Sequence, residues 1–103
     1  MNKLEDLSLD YNLVSDITPL KNHKSLMSVS FHENQVSDIS ALASCSSLET
    51  INISYNNVDN IESLYGLENL YLLTAYENLD QKIIPRSQIE QLINSNVSVL
   101  YHE

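Results

Sequence analysis

Leu4-Glu5-Asp6-Leu7-Ser8-Leu9-Asp10-Tyr11-Asn12-Leu13-Val14-Ser15-Asp16-Ile17-Thr18-Pro19-Leu20 is followed by Leu26-Met27-Ser28-Val29-Ser30-Phe31-His32-Glu33-Asn34-Gln35-Val36-Ser37-Asp38-Ile39-Ser40-Ala41-Leu42, with apolar residues at the same offsets 26 − 4 = 22 residues apart. The interval persists along the chain in Leu4, Leu26, Leu48 and Leu70, in Leu7, Val29, Ile51 and Leu73, and in Leu9, Phe31, Ile53 and Ala75. Asn12, Asn34, Asn56 and Asn78 keep it, as do Val14, Val36 and Val58, then Ile17, Ile39, Ile61 and Ile83, then Leu20, Leu42 and Leu64. A fixed period of this length marks a repeat architecture, in which each unit buries its apolar side only by stacking on its neighbours.

Within a unit the L-x-L pair places two apolar side chains on one face of a short strand and the residue between them on the other. The asparagine then ends the strand, and its amide both donates to and accepts from backbone groups of neighbouring coils. A second polar ladder, Asp16, Asp38 and Asn60, stands just before the isoleucine, where a short polar side chain caps the first amides of a helical turn. These ladders are expected to do the turning that glycine usually does, since the 103 residues contain only Gly66, with Pro19 and Pro85.

The unit L-x-x-L-x-L-x-x-N, with Asp16-Ile17-Thr18-Pro19-Leu20 as its intact D-I-x-P-L turn, resembles the leucine-rich repeat, and its 22-residue length is similar to the bacterial internalin-type subclass. The resemblance implies an α/β, right-handed solenoid: parallel strands line the concave side, and short 3₁₀ or irregular turns line the convex side. One domain is expected over 1–103, with repeats at 4–25, 26–47 and 48–69, a partial repeat at 70–83 and a cap at 84–103. In the cap, Pro85 opens a helix on which Ile89, Leu92 and Ile93 recur at helical spacing, Asn94-Ser95-Asn96 stops it, and Val97-Ser98-Val99-Leu100-Tyr101 reads as a last strand. Nothing equivalent precedes Leu4, so the first coil is expected either to continue an arc or to self-associate through its open edge.

Fourteen acidic against five basic residues give a formal charge of −9, which disfavours nucleic acid as a partner and suits a basic or mixed apolar and basic protein patch. Neither a signal peptide nor an apolar run long enough to span a membrane is legible, so the compartment stays open: secreted or cell-surface for a fragment, cytoplasmic for a complete chain. Cys45 excludes an intrachain disulfide and a multi-cysteine zinc site, and no cofactor is expected. By phase it shares one convex-side position with His23, Leu67 and Ile89 and reads as a small buried hydrophobe.

Variable residues of the strands stack into columns ~4.8 Å apart per coil. Ser8, Ser30, Asn52 and Thr74 form a small polar column; Asp10, His32, Ser54 and Tyr76 lie two residues on, followed by Tyr11, Glu33, Tyr55 and Glu77. Asp6, Ser28, Thr50 and Leu72, and Glu5, Met27, Glu49 and Tyr71, precede the strand centre. None of these columns holds Lys or Arg. Tyr11, Tyr55, Tyr71 and Tyr76 put aromatic area where the fold does not need it, which points to apolar anchors for a protein partner, with Asp10, His32, Glu33 and Glu77 as polar selectors.

The competing expectation is that the tyrosines pack along strands and the carboxylates keep the protein soluble. Asp10 and His32, neighbours across adjacent coils, also suggest a metal site or an acid/base pair. Such a site needs a third ligand or a pocket, whereas Ser8, Ser30 and Ser54 lie on an open sheet. A non-enzymatic protein-binding module on the concave face is therefore the expected function, and the alternative is an architectural end of a longer, cell-surface repeat protein.

Overall fold

The computed structural model describes residues 4–77 and 83–101. Five strands, β1 (Asp6–Ser8), β2 (Ser28–Ser30), β3 (Thr50–Asn52), β4 (Leu72–Ala75) and β5 (Ser98–Tyr101), form one parallel sheet in chain order. Asp6 pairs with Ser28, Ser28 with Thr50, and Thr50 with Leu72, so each strand sits one 22-residue unit from the last. The final step is longer, because Leu72 pairs with Ser98 and the single α-helix among the described residues, α1 (Arg86–Asn94), lies between. This is the leucine-rich-repeat solenoid with a helix and strand at its C-terminal end.

The core lies between the sheet and the opposite turns, and it is made of the repeating apolar positions. Leu26, Val29, Phe31, Val36, Ile39 and Leu42 of the second coil are all buried, as are Leu48, Ile51, Ile53, Val58, Ile61 and Leu64 of the third. Burial of each such side chain stabilises by about 1.5–3 kcal/mol relative to exposure. The first coil has a neighbour on one side only, and its Leu4, Leu7, Leu9 and Val14 are partly buried. At the other end Ile89 and Leu92 of α1 and Val97 close the core. Gln88 Oε1 accepts the Ile61 amide at 2.8 Å, tying the helix to the third coil.

Two apolar expectations fail by one residue each. Ile83 does not continue the Ile17, Ile39 and Ile61 series: it is 79 % exposed while Ile84 is buried, because the phase slips by one between Ala75 and Ile84. Ile93 is exposed, since it lies about 100° round the helix from the buried Leu92. Asn78 and Leu79 fall outside the described residues.

The asparagine ladder works as backbone accounting. Asn34 Oδ1 accepts the Val14 amide at 2.9 Å, and its Nδ2 donates to the carbonyls of Leu9 and Phe31. Asn56 repeats this one coil on, accepting from Val36 and donating to Phe31, Ile53 and Ser54. The left-handed backbone is displaced from where the glycine argument put it, however. In the strand turns it falls on the residue before Asn12, Asn34 and Asn56, with φ of 61° at Tyr11, 58° at Glu33 and 61° at Tyr55; elsewhere Asn22 and Asn96 take it themselves. The reason is the pairing between coils: the Tyr11 amide donates to the His32 carbonyl, that of Glu33 to Ser54 and that of Tyr55 to Glu77, and the chain must bend there to keep those bonds.

Convex 3₁₀ turns at Thr18–Leu20, Ser40–Ser44 and Glu62–Leu64 begin where the second ladder caps them. Asp16, Asp38 and Asn60 accept the amides of Thr18, Ser40 and Glu62, each at 2.9 Å. The Thr18 hydroxyl, with its amide, holds the Asp16 carboxyl below its usual range, and the Ser40 amide does the same for Asp38. Because the folded value is the depressed one, this stability is present above the unfolded pKa of about 3.9 and is lost as pH falls through the lower folded value. Asn60 shows that an amide serves the same position. The double variant Asp16→Asn, Asp38→Asn should therefore melt like the wild type at pH 7 and lose less of its melting temperature on acidification to pH 2.5, as followed by circular dichroism.

Candidate functional site

Alternation along the strands sends Leu7, Val29, Ile51 and Leu73 inward and leaves the flanking residues on the concave face. The centre of that face is small and polar in the first three coils, where the Thr50 hydroxyl donates to that of Ser28 at 2.8 Å. It becomes apolar toward the C-terminal end, where Leu72 is followed in register by Ser98, and Thr74 by Leu100, which is 42 % exposed. Leu100 extends the face by one strand beyond the columns legible from the repeat; its signal was the alternation in Val97-Ser98-Val99-Leu100, which places Ser98 and Leu100 outward.

The residues singled out from sequence divide between the two rims of the sheet. At the rim where the strands end, the His32 ring lies 5.3 Å from that of Tyr11 and 5.1 Å from that of Tyr55, both tilted steeply to it. Such edge-on contacts add about 0.5–1.5 kcal/mol each to burial. Glu33 stands in the same row as Tyr11 and Tyr55, one coil from each, and its side chain is exposed. Tyr76 and Glu77 continue the two columns on the fourth coil, with the Tyr76 amide donating to Ser54 Oγ at 2.9 Å. Tyr71 lies at the opposite rim, in a groove with Met27 and the carboxylates of Glu5, Asp6 and Glu49. The structure thus brings Tyr11, His32, Glu33 and Tyr55 together and sets Tyr71 apart from them.

Asp10 and His32 are neighbours, but the carboxylate serves the fold. Its Oδ1 accepts the Ser30 hydroxyl at 2.5 Å and the His32 backbone amide at 2.9 Å. The acid/base arrangement with the imidazole is replaced by a bond to the main chain, which fixes where the His32 ring can go. Ser54 Oγ plays the equivalent part for Tyr76 two coils on. Among the described residues no group of three or more His, Cys, Asp and Glu is placed to hold a metal ion. None of their helices is long and apolar enough to cross a membrane.

Away from this face, Cys45 is fully buried; its thiol donates to the Leu20 carbonyl, and burial pushes its pKa up. It packs as a core residue. His23, at the same phase one coil earlier, is half-buried with Nδ1 3.5 Å from the Ser25 hydroxyl.

Comparison with known proteins agrees with this geometry. The family model described as Leucine Rich repeats (2 copies) matches residues 24–69. Among solved structures, an internalin, InlF, from Listeria monocytogenes superposes with a TM-score of 0.83 at 25 % identity, covering 99 % of this chain and 29 % of that one. Internalin C2 from the same species gives 0.84 at 31 % identity, covering 96 % of this chain and 42 % of that one. The chain therefore spans less than half the length of either. A search of curated protein sequences yields no significant match.

Proposed function

We propose that this chain, an internalin-like leucine-rich-repeat protein, recognises a protein partner through its concave strand face and the rim where the strands end. The family supports a protein-interaction module in general. What supports this particular surface is the combination of left-handed backbone and bulky side chains outside the core at Tyr11 and Glu33, which are exposed, and at Tyr55, which is half-buried. A left-handed residue costs about 1–2 kcal/mol unless it is glycine, and asparagine and aspartate bear it better than most. Here the position is filled by tyrosine, glutamate and tyrosine, although the chain uses asparagine freely one residue later. Stability is given up at three successive coils for side chains that the core does not use, and such local conflict is characteristic of functional positions.

That trade-off is directly testable. Glu33→Asn and Tyr11→Asn relieve the backbone; Glu33→Asn, which loses no ring contact, should raise the melting temperature by several degrees, with about 1 kcal/mol corresponding to 4–8 °C. The same variants should bind more weakly to folded domains selected on the wild-type protein from a display library. Unchanged affinity in both would overturn the assignment of the rim.

A second reading has one observation in its favour, namely that the chain spans only 29 % and 42 % of the two internalin chains. In it, these coils are the architectural end of a longer arc and partner contacts lie on other coils. It predicts that selected domains bind the wild type and the rim variants alike.

A further inference from the structure

We propose that the row Tyr11, Glu33, Tyr55, backed by His32, is a seat for an arginine guanidinium presented by the partner; the inference rests on the recognition face proposed above and specifies its chemistry. The three residues stand one coil apart in ~4.8 Å steps, so the carboxylate of Glu33 is flanked by a phenol on each side. Their φ values agree within a few degrees, so the chain bends in the same sense at each. The imidazole of His32, 5.3 Å from one phenol and 5.1 Å from the other, joins the two into one aromatic cluster. Glu33 and Tyr55 line an open groove there with Asn12, Leu13 and Gln35.

A carboxylate in a row with aromatic rings suits a guanidinium. The planar cation makes paired hydrogen bonds to the carboxylate, stacks on aromatic faces and gives up its hydration more readily than an ammonium. Lysine would gain the Coulomb attraction and a cation–π contact, without the planar stacking or the paired hydrogen bonds. The charge of the chain is −9, and no Lys or Arg shares the columns of this face. Asp10, beside it, adds negative potential while its Oδ1 is held by Ser30 and the His32 amide. The opposite rim offers a contrast: Glu5, Asp6 and Glu49 supply more charge there, with Tyr71 as its aromatic. Preference for arginine over lysine should thus originate at the Tyr11 to Tyr55 row.

Tetra-arginine and tetra-lysine peptides, equal in charge, provide the test by NMR titration with the tyrosine and histidine ring signals followed. Paired hydrogen bonds to Glu33 and planar stacking on the rings predict a several-fold preference for tetra-arginine, with Tyr11, Tyr55 and His32 signals moving. Glu33→Gln should weaken tetra-arginine binding. Tyr11→Leu with Tyr55→Leu, which keeps the same backbone demand, should reduce the preference to what Glu33 alone supports; Tyr11→Asn with Tyr55→Asn serves equally should the leucine pair melt early. Parity in the wild type, or a preference unchanged by loss of both rings, would overturn the proposal. Should parity be found while domains selected on the wild type still require Tyr55 and Tyr76, the recognition face stands and only the guanidinium assignment falls.

Discussion

Asn56→Ala is expected to lower the melting temperature by more than about 10 °C, and Asn12→Ala by only a few degrees. Asn56 is fully buried, and its amide accepts from Val36 and donates to the carbonyls of Phe31, Ile53 and Ser54. Truncation leaves those buried groups without partners, and each orphaned group costs about 1–3 kcal/mol. Even two such groups amount to about 2–6 kcal/mol, and 1 kcal/mol moves the midpoint of a domain this size by about 4–8 °C. Asn12 makes the same type of bond to the carbonyls of Leu9 and Asp10, but it is exposed, and water replaces it. Thermal denaturation followed by far-ultraviolet circular dichroism separates the two. Equal and small losses would mean that the ladder does not carry the backbone accounting assigned to it.

The fold was legible because the repeat carries its own controls. Each apolar position occurs three or four times, so a single ambiguous residue does not shift the phase, and the observed register follows the 22-residue interval through four strands. Legibility ends where repetition ends. Ile83 fits the interval and is nevertheless exposed, because nothing downstream restates the phase, and only packing decides that Ile84 enters the core. Ile93 fails for a related reason: on a helix of nine residues, Ile89 and Leu92 already fill the face that meets the sheet. The asparagine ladder was readable as hydrogen bonding but not as backbone geometry. Residue type says which side chain can bond to the main chain, while the position that must turn left-handed is set by amide-to-carbonyl pairing between coils.

The candidate face was legible as a set of columns and only partly as a constellation. Tyr11, His32 and Tyr55 are neighbours because adjacent coils differ by one period, which the interval alone supplies. Tyr71 shares their chemistry, but it precedes its strand, and its phase placed it at the other rim. Leu100 escaped the columns because β5 is reached through a helix and breaks the spacing, although it pairs with Thr74 as the next strand of the same face. For Asp10 the residue type suggested chemistry with the imidazole of His32, and the competition was won by the nearer backbone amide and by the Ser30 hydroxyl.

The largest effect on recognition is expected from Tyr55 and Tyr76. Tyr55 is partly buried against His32, so its ring is already ordered and loses little entropy on binding, and Tyr76 is 36 % exposed on the fourth coil, in the column of Asp10, His32 and Ser54. Anchors of this kind, large aromatics at the centre of a contact, cost about 2 kcal/mol or more each on truncation. Both stand just beyond the strand ends and pair with neighbouring coils through their backbone amides, Tyr55 with the Glu77 carbonyl and Tyr76 with Ser54 Oγ, so the double alanine variant should keep its fold. The most direct measurement is the affinity of domains selected on the wild-type protein for Tyr55→Ala with Tyr76→Ala, set beside Tyr65→Ala on the convex turns, with all three proteins checked by melting. The account predicts a loss of roughly 100-fold or more for the double variant and essentially none for Tyr65→Ala; equal affinity for all three would contradict it.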